Sequence, residues 1–356
     1  MVGLPYPVTI ARGALAGLAQ LVRSAAPAHR TAIITDRNVG RRYAARVAKL
    51  LPGSATFTIP AGEQHKNRKT WATLTDRLLS EGCGRDTTIV ALGGGVVGDI
   101  AGFVAATYLR GVPVVHVPTT LLAMVDASVG GKTGVNTRHG KNLVGASYRP
   151  AAVIIDPDVL KTLPPDQLRA GFAEVIKHGV IADAAYFDRA RSYAEQTGVD
   201  AARDLTELTA LIERSIEIKA SIVTRDEKEG GLRKVLNFGH TIGHAVEAAR
   251  RYSLPHGYAV AIGQVVEARI AERAGVAPVA TATAIQSACR AAGLPTQLPK
   301  VPAARLLALT RADKKTRAGK VEYALPNKIG SMAGGDRGWT IPIEDTLVTE
   351  VLSETV

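Results

Sequence analysis

From the N-terminus to Asp156 the chain alternates between short runs that are apolar at nearly every position and longer runs with helical spacing. The first kind comprises Thr31 to Asp36, Ala55 to Ile59, Thr87 to Leu92, Val112 to Val117 and Ala152 to Asp156; the second includes Arg41 to Leu51 and Lys69 to Glu81. Strands without polar alternation, separated by helices, predict a parallel sheet covered on both faces. Beyond Leu160 the period changes. Pro165 to Ile181, Leu205 to Val223, Gly239 to Ala249, Tyr258 to Ala274 and Thr281 to Ala292 follow one another with helical periodicity, and a short β-rich piece, Val321 to Leu325, comes near the end. The pattern predicts an α/β plus α fold: a Rossmann-like parallel-sheet domain over residues 1–160 and a mainly helical domain over 161–356. There is no internal repeat and no low-complexity segment.

At 356 residues, 46% hydrophobic and 21% charged, the chain is long enough for two cores. Its two cysteines, Cys83 and Cys289, are far apart and form no metal-like spacing, which suits a reducing compartment. The N-terminus lacks the basic and apolar blocks of a signal peptide. The apolar run Tyr258 to Ile270 is broken by Gln264 and Glu267, so no membrane span is expected. A soluble cytoplasmic protein is the expectation.

The formal charge of +12 changes the picture less than its size suggests. With aromatics at only 4% and no interleaving of basic and aromatic residues, nucleic-acid binding is not expected. A basic surface, or a site for an anionic small molecule, accounts for the excess. The densest basic run, Arg311 to Lys320, reads as a solvated face or as a segment that closes over a phosphate.

Four stretches carry chemistry. Gly93-Gly94-Gly95-Val96-Val97-Gly98-Asp99 directly follows a predicted strand, where backbone amides and a helix N-terminus suit a diphosphate. It is not the Gly-x-Gly-x-x-Gly fingerprint, and the best acidic ribose partner, Asp36, precedes it rather than following it. Residues 118–142 gather hydroxyls, amides and lysines around a glycine pair, either as a loop with solvated lysines or as contacts to a polyhydroxylated anion. Glu174 and Lys177 stand at i, i+3 in an apolar helix, either as a partly exposed ion pair or as a metal-binding carboxylate with its lysine. Finally, Leu236-Asn237-Phe238-Gly239-His240-Thr241-Ile242-Gly243-His244 puts two imidazoles on one helix face, with His256 beyond a Pro-His-Gly turn. Three clustered imidazoles point to a metal or proton-transfer site, and spacing alone selects His240 and His244 together.

These stretches, with Tyr108-Leu109-Arg110-Gly111, Pro118-Thr119-Thr120, Arg225-Asp226-Glu227-Lys228-Glu229 and Asp313-Lys314-Lys315, resemble in order and spacing the 3-dehydroquinate synthases, members of the sugar-phosphate cyclases. The resemblance covers about residues 30 to 330. It implies conversion of 3-deoxy-D-arabino-heptulosonate 7-phosphate to 3-dehydroquinate and phosphate in the shikimate pathway, with tightly held NAD and a divalent metal, zinc or cobalt. A hydroxyl is oxidised transiently, phosphate is eliminated, the hydride is returned and an intramolecular aldol step closes the ring. The substrate's own phosphate serves as base in the elimination.

The resemblance also implies roles by position. Glu174, His240 and His256 match the metal ligands, which moves His244 from the ligand set that spacing selects to a proton-handling place in the substrate site. Lys132, Asn142, Lys177, Lys219, Arg233 and Asn237 match substrate positions, with Lys219 and Arg233 suited to a carboxylate and Lys132, Asn142 and Asn237 to phosphate. Lys314 or Lys315 would also reach phosphate. Arg110 matches a residue given across a homodimer interface. Asp36, Glu63, Lys66, Gly94, Gly95, Val96, Asp99, Thr119, Thr120, Asp126, Lys132 and Lys141 match the NAD site. The active site would lie in the cleft between the domains.

Two departures stand out. Tyr258 replaces the glutamate that many members carry after His-Gly, and Met332 to Trp339 fits no motif. They leave three rival readings: a cyclase of secondary metabolism such as an aminodehydroquinate synthase, a metal-dependent polyol dehydrogenase, and a non-catalytic basic binding module.

Overall fold

The structure, a computed structural model, describes residues 3–200, 202, 204–311, 316–317 and 320–355. Two compact units divide it, Met1–Leu163 and Pro164–Val356.

In the first unit, β1 (Val8–Ile10), β2 (Arg30–Asp36), β3 (Ala55–Ile59), β4 (Thr87–Gly93) and β5 (Val114–Pro118) are joined by β8 (Ala152–Ile155) in one parallel sheet of order β1-β8-β5-β4-β2-β3. The strands β4, β5 and β8 are buried at every position. The intervening helices are α1 (Leu18–Ala25), α2 (Arg37–Val39), α3 (Ala45–Leu50), α4 (Arg68–Ser80) and α5 (Gly95–Thr107). One core cluster joins Ile34, Phe57, Leu78, Ile89, Ile100 and Val104 from this sheet and its helices. Strand order reverses between β2 and β4, so the turns leaving their carboxyl ends flank the crevice where such sheets bind ligands.

The stretch read as a possible loop is instead a hairpin. Two antiparallel strands, β6 (Lys132–Thr137) and β7 (Gly140–Ser147), pair with each other and not with the main sheet. β6 buries Thr133, Gly134 and Val135, whereas β7 alternates between half-buried and exposed positions, with Val144 and Ala146 against the core. A strand with so little apolar alternation, rich in Gly and Asn, looks like a loop in sequence.

The second unit is helical, as expected. Its helices are α6 (Pro165–Ala182), α7 (Ala184–Thr197), α8 (Leu205–Arg225), α9 (His240–Ala249), α10 (His256–Arg273), α11 (Thr281–Ala291), α12 (Ala303–Arg311) and α13 (Asp345–Glu354). Short strands β9 (Thr316–Arg317), β10 (Lys320–Tyr323), β11 (Pro326–Lys328), β12 (Ser331–Met332) and β13 (Ile341–Pro342) lie between the last two helices in sequence. Helix α10 is buried along almost its whole length and packs on both α6 and α9. The approach is close enough to require glycine: a Cβ on Gly257 would fall 1.8 Å from the Ala170 carbonyl oxygen, and one on Gly263 would fall 1.9 Å from that of Gly239. No helix of the described residues is long and apolar enough to cross a membrane.

Candidate active site

The second unit brings together one carboxylate and two imidazoles. Glu174 sits in the middle of α6, fully buried. His240 opens α9 and His256 opens α10. His240 Nε2 lies 3.6 Å and His256 Nε2 3.8 Å from the same Glu174 oxygen, Oε1. The far side of each ring is held by an acceptor: the Phe238 carbonyl, 3.1 Å from His240 Nδ1, and the Glu247 carboxylate, 3.3 Å from His256 Nδ1. Nδ1 therefore donates in each ring, which leaves Nε2, the atom facing Glu174, as the one that a metal could take.

The donor set fits a divalent metal. Oε1 of buried Glu174, the oxygen facing both imidazoles, accepts no hydrogen bond among the described residues, and Lys177 answers only Oε2; a cation at Oε1 would complete the charge balance of the buried carboxylate. Lys177, one turn along α6, forms an ion pair with Glu174. The pair is not partly exposed, as one reading of the spacing allowed; both side chains are almost wholly buried, at 1% and 0% exposure. One ligand atom each from Glu174, His240 and His256 lie within 4.8 Å of one another, and so do those of His244, Glu247 and His256. In the second group Glu247 faces Nδ1 of His256. A ligand atom there would take the ring's proton-bearing nitrogen, so the first group is the better cation site. His244, the neighbour that spacing alone pairs with His240, lies beside the triad with its ring centre 5.5 Å from that of His240.

In the same unit, Lys219 on α8 and Arg233 in the 3-10 turn Leu232–Asn237 are buried cations. The turn is set by Asp226, whose carboxylate accepts the amides of Gly230, Gly231 and Arg233 at 2.9, 2.7 and 2.9 Å. Burial alone would raise the Asp226 carboxyl, but these three amides and the Arg233 charge hold it below its ordinary value. Arg233 donates to the Glu227 carbonyl, and Asn237 donates from Nδ2 to Glu229. Two features left unplaced in the sequence find positions here. Tyr258 reaches the Arg169 guanidinium beside Asp200, leaving the metal ligands as they are. The tail coils tightly, with the Trp339 amide on the Gly334 carbonyl and the Trp339 ring edge against Gly231. Lys314 and Lys315 lie outside the described residues.

The first unit assembles a second set at the carboxyl end of its sheet. Gly94 caps α5 without any side chain, leaving the amides of Gly95 and Val96 at the helix start. The glycines are not equivalent: a Cβ on Gly93 would meet Val97 at 2.6 Å, which is a packing demand, while one on Gly94 would meet Thr120 at 3.0 Å. Thr119 Oγ1 is buried beside this turn without a hydrogen-bond partner among the described residues. An uncapped helix start and an unanswered hydroxyl fit a dinucleotide. Asp126 stands in a π-helical turn, Ala123–Ala127, a geometry frequent at functional sites. Lys66 pairs with Asp99; burial pushes the Asp99 carboxyl up and Lys66 opposes it. Asp36 ends β2 and caps α2 with one oxygen.

Sequence reading did not single out Asn136. It donates from Nδ2 to Glu63 at 2.8 Å, accepts the Asn142 amide at 3.0 Å, and donates its own amide to the Lys66 carbonyl at 2.8 Å. It thereby ties the Glu63–Lys66 turn to the hairpin that carries Lys132, Lys141 and Asn142. Asn142 itself adopts φ +53°, and Leu109 and Arg110 adopt +49° and +68°. Consecutive non-glycine residues in that region are strained, and they aim the exposed Arg110 side chain outward.

The chain is similar to known proteins along nearly its whole length. Family models described as 3-dehydroquinate synthase N-terminal and C-terminal match residues 56–170 and 171–316. A 3-dehydroquinate synthase of Picosynechococcus sp. is 43% identical over 98% of this chain and 95% of its own length. Among solved structures, a 2-deoxy-scyllo-inosose synthase in complex with carbaglucose-6-phosphate, NAD+ and Co2+ superposes with a TM-score of 0.88 at 28% identity, covering 98% of this chain and 96% of that one. The 2-epi-5-epi-valiolone synthase of Streptomyces hygroscopicus subsp. jinggangensis, with NAD+ and Zn2+ bound, gives 0.87 at 27% identity, covering 100% and 98%. Matched by both family models, and sharing 43% identity with a curated relative across nearly the full length of each, the chain belongs to the 3-dehydroquinate synthase family.

Proposed function

We propose that the chain is a 3-dehydroquinate synthase, a carbon–oxygen lyase that turns 3-deoxy-D-arabino-heptulosonate 7-phosphate into 3-dehydroquinate and phosphate. The observation that carries this reading is the buried Glu174 carboxylate facing Nε2 of both His240 and His256. Glu174, His240 and His256 would hold the divalent metal, zinc or cobalt. Asp36, Glu63, Lys66, Gly94, Gly95, Val96, Asp99, Thr119, Thr120, Asp126 and Lys141 would hold NAD. When bound, NAD accepts and returns a hydride and the metal acidifies a coordinated hydroxyl.

The protein's own groups do the rest. Buried Lys219 and Arg233 neutralise the substrate carboxylate, with the arginine able to grip it through two parallel hydrogen bonds. Lys132, Asn142 and Asn237, with Lys314 or Lys315, hold the phosphate. Lys177, ion-paired to Glu174, keeps the charge of the site balanced and presents an ammonium to the substrate. His244 holds or moves a proton at its ring nitrogen next to the triad. Arg110 completes the site of a partner subunit in a homodimer. The protein works in the cytoplasm on an anionic sugar phosphate, with the first unit as the NAD-binding domain and the second as the metal- and substrate-binding domain.

The test is release of phosphate from the heptulosonate phosphate, with NAD present and NADH absorbance followed in the same sample. Release that stops on chelation, returns with zinc and leaves no net NADH is the expected result. NADH accumulating with a simple polyol, without phosphate release, would place the chain among the polyol dehydrogenases. Turnover only with another sugar phosphate would place it with the cyclases of secondary metabolism.

A further inference from the structure

Gln264 and Glu267 interrupt the apolar run of α10, and both are fully buried. Buried polar groups at consecutive turns of a helix that packs on two others need a reason, since apolar residues there would fill the same space without the cost of desolvation. Their partners supply it. The Glu267 carboxylate accepts the Gly239 amide at 2.7 Å through Oε2 and the Ile242 amide at 2.9 Å through Oε1. Gly239 is the N-cap of α9 and Ile242 its third residue. These are the two amides that a capping box satisfies from within a helix. Gly239 has no side chain to cap with, and its φ of +78° and the closeness of α10 keep it glycine: a Cβ would lie 2.6 Å from the Gln264 side chain. One carboxylate from α10 performs both halves of the capping box from outside, and its charge also suits the positive end of α9. His240 and Thr241 are the two residues between the bonded amides.

Gln264 works on the other neighbour. Its Nε2 donates to the Ala173 carbonyl at 2.9 Å, one residue before Glu174. The helix that begins with His256 thus fixes the backbone beside each of the other two members of the triad.

We propose that Gln264 and Glu267 are positioning residues of the metal centre, through which α10 sets the placement of Glu174 and His240 as well as carrying His256. The inference rests on the reading of that triad as the metal site. Groups that orient ligands from behind govern metal affinity by about 10- to 100-fold. Here the control runs through the backbone of the ligands rather than their rings.

The experiment is zinc affinity, measured by competition with a chromophoric chelator on the stripped full-length protein, together with the visible spectrum of the cobalt-loaded form and the thermal midpoint. The variants are Glu267→Gln, which keeps shape but can accept only one of the two amides, and Gln264→Met, which keeps volume but cannot donate. Glu174→Ala and His256→Ala serve as tests of the ligand reading. A fall in zinc affinity of about 10- to 100-fold in Glu267→Gln, with a smaller fall in Gln264→Met and an altered cobalt spectrum, is expected. Wild-type zinc affinity in both, with only a lower midpoint, would overturn the proposal and leave them as structural caps. Wild-type affinity in Glu174→Ala and His256→Ala would instead overturn the ligand reading beneath it. Should Glu267→Gln fail to fold, Gln264→Met alone decides, because it removes a single hydrogen bond.

Discussion

Glu247 Oε2 lies 3.3 Å from His256 Nδ1 while Nε2 of the same ring faces Glu174 at 3.8 Å. A carboxylate on one side of an imidazole fixes its tautomer and raises the basicity of the nitrogen on the other. Glu247 is 1% exposed, so no water can substitute easily. Replacing Glu247 by Ala should weaken zinc binding by about 10- to 100-fold while NAD affinity, proposed to be set by the first unit, stays within about a factor of two. Isothermal titration of both ligands on the same preparation checks this; equal loss of both would mean general unfolding.

The Lys177–Glu174 pair gives a second outcome with a sign that depends on metal. In the metal-free protein Lys177 is the cation ion-paired with the buried carboxylate. Lys177→Met should therefore destabilise the stripped protein by about 3–5 kcal/mol, the typical cost of stranding one partner of a buried pair. Saturating zinc should recover much of that stability, because the ion then answers the charge. Urea unfolding with and without zinc separates the two states. A loss that zinc does not touch would mean that the lysine matters for packing alone.

The glycine turn predicts a contrast between neighbours. Gly94 has φ −76° and ψ −171°, a conformation open to alanine, and an added Cβ meets the Thr120 side chain alone, its methyl at 3.0 Å and its hydroxyl at 3.4 Å. Gly94→Ala should leave the thermal midpoint nearly unchanged and cut NAD affinity, because under the proposed function the methyl would stand where the backbone amides of the turn meet the diphosphate. Gly93→Ala should instead destabilise by about 1–3 kcal/mol through overpacking against Val97. Thermal melts and NAD titrations of the two variants side by side decide between a binding role and a packing role for each.

Where the sequence could be read and where it could not has physical causes. The strands β2, β4, β5 and β8 are legible because their middles are buried on both faces, so apolar residues follow one another there with little polar alternation. The helices α6, α8 and α10 announce themselves by period. The β6–β7 hairpin does not, because only Thr133, Gly134 and Val135 are buried in β6 and no position of the partner strand is fully buried. Spacing joined His240 to His244, since a helix face is a local property. The approach of His240 to Glu174 belongs to three packed helices far apart in sequence, and only family resemblance suggested it. Glu267 looked like a charge that merely interrupts an apolar run; its two backbone partners on α9 appear only when α10 is laid against that helix. Asn136 was passed over for the same reason, since its role is defined by the three segments it joins.

His116 supplies a pH test in the first unit. It lies on β5, 5% exposed, behind the glycine turn, with Nδ1 3.5 Å from where a Cβ of Gly98 would stand. Burial lowers its pKa from 6.5 to about 4. The folded protein thus keeps this ring neutral over a range in which the unfolded chain has already taken up a proton. Between those two values the unfolded state binds one more proton, so stability rises with pH through the window and falls as pH drops from about 6.5 toward 4. The full difference amounts to roughly 3 kcal/mol for a shift of this size, most of it expressed by pH 4. His116→Gln, which cannot titrate, should lose this component: its unfolding midpoint should decline less than that of the unaltered protein between pH 7 and pH 4.5. Parallel denaturant curves at the two pH values measure the difference. Equal declines in both proteins would show that carboxylates elsewhere, and not this imidazole, set the acid sensitivity of the first unit.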